Sequence, residues 1–264
     1  LTALVAYNAM QIGIAGMFGF VLSSLLDSLF GLTLPWGVCA LIAWAVVGLM
    51  GVARVDFSAK VLGIIVSAEF LIVIVFDLIG LIQSPEGVTA DGLLPDQLFA
   101  PGVGAALAFS IAAFMGFESG AIYNEEVKDP RRTAGRATII AVSLIAGFYA
   151  LSAWAMVVAV GPSQVIGQSQ ELGPDLMFAF LAEHAPVWFV DLANILFLTS
   201  LLAALVAFHN IVARYFFALG RDRVLPEFLA RTSRRSGAPV AGSLAQSGLA
   251  LIVIIVFALA GAGS

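Results

Sequence analysis

Residues 101–136 read PGVGAALAFSIAAFMGFESGAIYNEEVKDPRRTAGR. The stretch starts as an apolar helix. At Ala112-Ala113-Phe114-Met115-Gly116-Phe117 small residues and a glycine interrupt the bulky packing, and Glu118 follows. A charged run from Glu125 to Arg136 then meets water. A carboxylate beside a loosened backbone inside hydrocarbon is tolerated only where both face protein or a water-filled cavity. The rest of the chain is expected to pack around this segment.

The composition supports a hydrocarbon setting. Of 264 residues, 61% are hydrophobic and 11% charged, with a mean hydropathy of +1.04. Soluble domains carry about a quarter charged residues, so the chain reads as an all-α, polytopic membrane protein. The net charge of −5 is segregated by loop rather than spread over one surface and points to no nucleic-acid partner. The single Cys39 lies in an apolar run and reads as a small buried hydrophobe, not part of a disulfide framework or metal site. The chain opens directly into an apolar helix without a basic leader. It begins with Leu1 rather than Met, which suggests a piece of a longer protein.

Seven apolar stretches are long enough to cross about 30 Å of hydrocarbon: 1–26, 35–53, 61–82, 102–124, 137–160, 187–220 and 240–262. They make one transmembrane domain over residues 1–264. Between the fifth and sixth, 161–186 is too polar to span; 174–183 reads as a short interfacial or extracellular helix. All twelve Lys and Arg residues lie in or beside alternate connections. Arg54 and Lys60 follow the second span. Lys128, Arg131, Arg132 and Arg136 follow the fourth. Arg214, Arg221, Arg223, Arg231, Arg234 and Arg235 surround the end of the sixth. The positive-inside rule then places Leu1 in the cytoplasm and Ser264 outside, in a multi-pass cell-membrane protein.

Polar residues at membrane depth are the candidates for function. Glu69 and Asp77 lie in the third span and Glu118 in the fourth; a charged carboxylate at the bilayer centre costs about 3 kcal/mol. Glu69 falls near the midplane, about 13 Å past Lys60 at 1.5 Å per residue. Taking up a proton would remove that cost, so Glu69 and Glu118 are the proton-coupling candidates. Asp77 lies nearer the outer interface, where a structural role is the plainer reading. Tyr7, Asn8 and Gln11 share one helix face, serving either helix–helix hydrogen bonds or a cavity. Gly13, Gly16 and Gly19, and likewise Gly48 and Gly51, read as close helix contacts.

His209 reads as a hydrogen-bonded residue, because no second His or Cys lies at ligand spacing; no metal or cofactor is expected. The sequence has no HExxH, GxSxG or GxxxxGK[ST] pattern and no nucleophile–base arrangement, so an enzyme is not expected. A seven-helix receptor or light-driven pump is the alternative suggested by span count. The two lysines, Lys60 and Lys128, sit at cytoplasmic ends, so neither could form a mid-helix Schiff base.

Two motifs carry a family resemblance. Phe114-Met115-Gly116-Phe117-Glu118-Ser119, followed by Glu125-Glu126-Val127-Lys128-Asp129-Pro130-Arg131-Arg132, resembles the sixth helix and following loop of amino acid–polyamine–organocation (APC) permeases. Arg214-Tyr215, then Ala218-Leu219-Gly220-Arg221-Asp222-Arg223-Val224-Leu225-Pro226 and Gly237-Ala238-Pro239, resembles that family's eighth helix and entry to the ninth.

The resemblance implies that the seven spans are the third to ninth helices of a LeuT-type inverted-repeat fold. It also implies secondary transport of an amino acid or related amine, coupled to a proton or other cation. Ala112, Ala113, Phe114, Gly116 and Glu118 are then one wall of a midplane substrate site, with Tyr7, Gln11 and Phe208 lining it. Many relatives carry an aromatic gate where Ala112 stands, and a lysine where Glu69 stands. The family's glycine-interrupted first helix, the opposite wall, has no counterpart here.

Overall fold

The computed structural model describes residues 1–53, 59–95, 102–116, 130–233 and 239–261. They are helical: α1 (Thr2–Phe30), α2 (Trp36–Ala53), α3 (Ala59–Ile82), α4 (Val103–Ala113), α5 (Pro130–Val160), α6 (Val165–Leu172), α7 (Leu176–His184), α8 (Val187–Arg221) and α9 (Val240–Leu259). Helices α1, α3, α5, α8 and α9 are long and apolar enough to cross a membrane, while the described parts of α2 and α4 are shorter apolar helices. Five of the seven expected stretches thus have full spanning length.

Boundaries differ from the sequence reading where a local signal outweighs hydropathy. The first helix runs four residues past Leu26 and stops where Gly31 takes φ 63°. There the N–H groups of Gly31 and Leu32 bond to Asp27 O and Leu26 O, closing the helix end through a left-handed glycine. The polar connection 161–186 holds two helices, α6 and α7, joined by a 3₁₀ turn at Gly173–Asp175; one had been expected.

The chain divides into two compact units, residues 1–69 with 191–264 and residues 70–190. In unit 1, α1 buries Leu4, Tyr7, Asn8, Gln11, Ala15, Phe18 and Gly19, a stripe at three- and four-residue spacing. That stripe packs with Ala40, Ala43 and Val47 of α2, Leu201, Leu205 and Val206 of α8 and Ile254 of α9. A Cβ at Gly19 would lie 2.5 Å from Trp36 O, so glycine is required for that approach. Gly13 and Gly16 meet nothing within 4 Å, and packing inside unit 1 does not explain them.

Contacts also fix relative directions. Along α1 and α8, Tyr7 meets Tyr215 and Gln11 meets His209, an antiparallel pairing. Trp44 Nε1 donates to Ser247 O, and Gly51 approaches Ser243, so α2 and α9 are also antiparallel.

Unit 2 is built on α3 and α5 running the same way. Phe70 meets Phe148, Ser152 Oγ donates to Asp77 Oδ2, and Gly80 lies against Ala159. A Cβ at Gly80 would come within 2.6 Å of Ala159 Cβ. Phe76 meets Phe180 of α7 edge-on at 5.6 Å, and Trp154 Nε1 donates to Thr89 O. Glu86 Oε1 accepts from Ser163 N at 3.2 Å, which ties the loop after α3 to the start of the 161–186 connection. In that connection, burial pushes the Asp175 carboxyl up from its ordinary range.

Candidate functional site

The decisive stretch is helical through Ala113. Phe114, Met115 and Gly116 then form a turn in which Phe114 N and Met115 N bond to Ile111 O and Ala112 O. Gly116 takes φ 103°, a left-handed conformation that a residue with a Cβ rarely adopts. The break therefore falls at Phe114–Gly116, after Ala112 and Ala113. Glu118 lies outside the described residues, as does Phe117.

The depth of the break can be read from its neighbours. Phe114 packs edge-on against Tyr149, with ring centroids 6.0 Å apart. The adjoining Phe148 meets Phe70 at 4.4 Å, well inside both α3 and α5. Helix α4 thus ends level with the middle of the two full-length helices of its unit. Its 11 residues rise only about 16 Å, against roughly 30 Å of hydrocarbon.

The α1 candidates belong to a different construction. Gln246 Nε2 donates to Gln11 Oε1 at 2.6 Å, Gln11 Nε2 lies 3.3 Å from His209 Nδ1, and His209 Nε2 lies 2.7 Å from Ser243 Oγ. All four are buried, at 4% exposure for Gln11 and 0–2% for the others. If Gln11 donates to Nδ1, His209 is the neutral tautomer with its proton on Nε2, facing Ser243. A Cβ at Gly51 would lie 2.4 Å from His209 Nε2, so α2 closes the network from its side.

Gln11 is also a candidate for lining a substrate site, and both ends of its amide reach partners on α8 and α9. Tyr7 is likewise only 2% exposed, its ring 5.4 Å from Phe208 and 5.6 Å from Tyr215. Phe208 and Tyr215 are both half-buried.

The two acidic candidates of α3 differ. Glu69 is half-buried; its Oε2 accepts from Ser200 Oγ at 3.1 Å while Oε1 has no partner. Asp77 is 5% exposed, with Ser152 on Oδ2 and no partner on Oδ1. Sequence reasoning ranked Glu69 first because it fell nearer the midplane, but enclosure is the greater at Asp77. The sequence reading also missed Gln246 and Ser243. Their three-residue spacing on α9, one face of a helix, was the available signal. Among the described residues no His, Cys, Asp or Glu side chains cluster as metal ligands.

All of the chain, residues 1–264, matches the amino acid permease family. The chain belongs to that family. It is accordingly a transporter-family, multi-pass membrane protein and not an enzyme. Similar proteins include an uncharacterized transporter of Mycobacterium bovis and uncharacterized transporters of two Mycobacterium tuberculosis strains. Each is 31% identical over 132 residues, covering 50% of this chain and 29% of the relative. The match thus spans under a third of those proteins' length.

Proposed function

We propose that this permease is a secondary transporter of amino acids or related amines, holding its substrate where the α4 crossing is interrupted. One observation carries the reading: α4 stops at Ala113 in the middle of its unit, beside Tyr149, and turns at Phe114–Gly116. Helices α3 and α5 run the same way, so the chain must return across the bilayer between them. A half-length helix cannot make that crossing alone. An interrupted helix presents unpaired backbone groups to a ligand at the midplane, which suits the carboxylate and amine of an amino acid.

On this reading Ala112, Ala113, Phe114, Gly116 and Glu118 contact substrate, and Phe208 remains a lining candidate. Tyr7 and Gln11 act from behind by fixing Phe208 and its helix. Glu69 and Glu118 are the proton-coupling candidates. All seven apolar stretches cross in a LeuT-type arrangement and form one domain, with Leu1 cytoplasmic and Ser264 outside. The alternating helix directions within unit 1 and the parallel α3–α5 pair agree with that order of crossings, and the loop distribution of Lys and Arg sets its sense.

The test is uptake by the full-length protein in proteoliposomes, with and without a pH gradient. Accumulation of an amino acid or amine that collapses with the gradient is expected. Uptake of none of them would remove the substrate class, and accumulation indifferent to the gradient would remove proton coupling.

A further inference from the structure

Asp77 is the one Asp or Glu in the buried class among the described residues, and the reading above gives it no role. It faces α5, where Ser152 Oγ donates to Oδ2 at 2.8 Å, and Oδ1 is buried with no partner. The seam around it is closed. Phe70 packs on Phe148 two turns earlier, Gly80 lies against Ala159 one turn later, and Phe76 meets Phe180 of α7.

The titratable neighbours on the surrounding elements offer no compensation. On α3 they are Glu69, and Glu86 in the loop that follows. On α5 the titratable residue within a turn of Ser152 is Tyr149. On and before α7 they are Glu183, Asp175 and His184, the last stacked on Phe180 at 4.3 Å. None forms an ion pair or hydrogen bond with Asp77 among the described residues. An ionised Asp77 would therefore be an enclosed charge with a single neutral donor, an arrangement that hydrocarbon strongly disfavours.

We propose that Asp77 is a proton-binding site of this permease, neutral while sealed between α3 and α5 and ionised when that seam opens to water. Binding forms one O–H bond at Oδ1 with a proton from water; opening breaks it and returns the proton to water, with no redox change. Ser152 keeps the acid oriented by holding Oδ2. Because a neutral carboxyl fits the closed seam and a carboxylate does not, proton binding and seam closure favour one another. Protonation of Asp77 is thus linked to one conformation.

Infrared spectroscopy of the purified full-length protein in H2O and D2O tests the site directly. The expected result is a protonated carboxylic C=O band at neutral pH that shifts in D2O. The band is absent from Asp77→Asn and retained in Glu69→Gln. Superimposable wild-type and Asp77→Asn spectra would overturn the proposal. Should Asp77→Asn fail to fold, Ser152→Ala keeps the carboxyl and removes its donor. The C=O band should then move to higher frequency, and an unmoved band overturns the assignment.

The transport arm rests on the proposed function. In proteoliposomes Asp77→Asn should retain substrate counterflow and lose the accumulation driven by a pH gradient; unchanged accumulation overturns the coupling role. A wild-type protein that transports nothing would break the transport reading alone, leaving the spectrum to decide Asp77.

Discussion

The two units bury polar groups in opposite ways. In unit 1, Gln246, Gln11, His209 and Ser243 form a continuous hydrogen-bonded chain across α9, α1 and α8, closed by Gly51 of α2. Every member is neutral, and most of its polar atoms find one another. In unit 2 the buried polar group is a carboxyl with one hydroxyl partner, and the nearby helix α4 breaks off at mid-depth. A satisfied neutral network specifies one packing of its helices. A half-satisfied acid and an interrupted helix leave room for two states. We propose that the network makes a fixed frame within unit 1, and that Asp77 and the α4 break of unit 2 respond to proton and substrate.

Substitutions can break that contrast at either end. The largest effect is expected at Gly51→Val, whose Cβ would meet the enclosed His209 ring at 2.4 Å and also crowd Ser243 Oγ. A loss of about 3 kcal/mol is expected, at the upper end of overpacking costs, read as a large drop in thermal midpoint in detergent. An unchanged midpoint would deny that α2 seals the network. His209→Ala removes the centre of the chain and strands Gln11 and Ser243. It should lose about 2 kcal/mol, within the range for buried groups left unpaired. His209→Gln should recover part of this.

In unit 2, Gly80→Val puts a methyl-bearing Cβ on Ala159 and should lose about 1–2 kcal/mol. It should also impair gradient-driven accumulation more than substrate binding. Equal loss of both would make the α3–α5 seam merely structural. The smallest effect is expected at Asp175→Asn. A carboxyl raised by burial contributes stability below its unfolded pKa and loses it as pH rises through the folded value. The substitution should therefore raise the thermal midpoint slightly at neutral pH and do nothing in acid.

How much was legible in the sequence follows from what each signal measures. Hydropathy over about twenty residues located the long helices, because burying backbone in lipid leaves few alternatives to helix. It did not locate the end of α4 at Ala113, since apolar composition does not report where a helix stops. The positive φ of Gly116 is a backbone fact, and the small residues before it hinted at a break without placing it. Helix periodicity put Tyr7, Asn8 and Gln11 on one face but could not say whether that face met a cavity or another helix. The partners Gln246 and His209 lie 235 and 198 residues away along the chain, beyond any local pattern. The enclosure of Asp77 was not legible for the same reason: depth in the bilayer was estimated from residue counts, whereas its enclosure comes from neighbours on α5 and α7.

The central claim is that the interruption after Ala113 faces substrate. Phe114→Cys in the full-length protein, with other cysteines replaced, can be exposed to a membrane-impermeant thiol reagent in the presence and absence of amino acids and amines. The account predicts labelling that a transported amino acid or amine suppresses, while Cys placed at the exposed Phe109 shows no such protection. Labelling at position 114 that none of these compounds alters, in a protein that transports one of them, would contradict it.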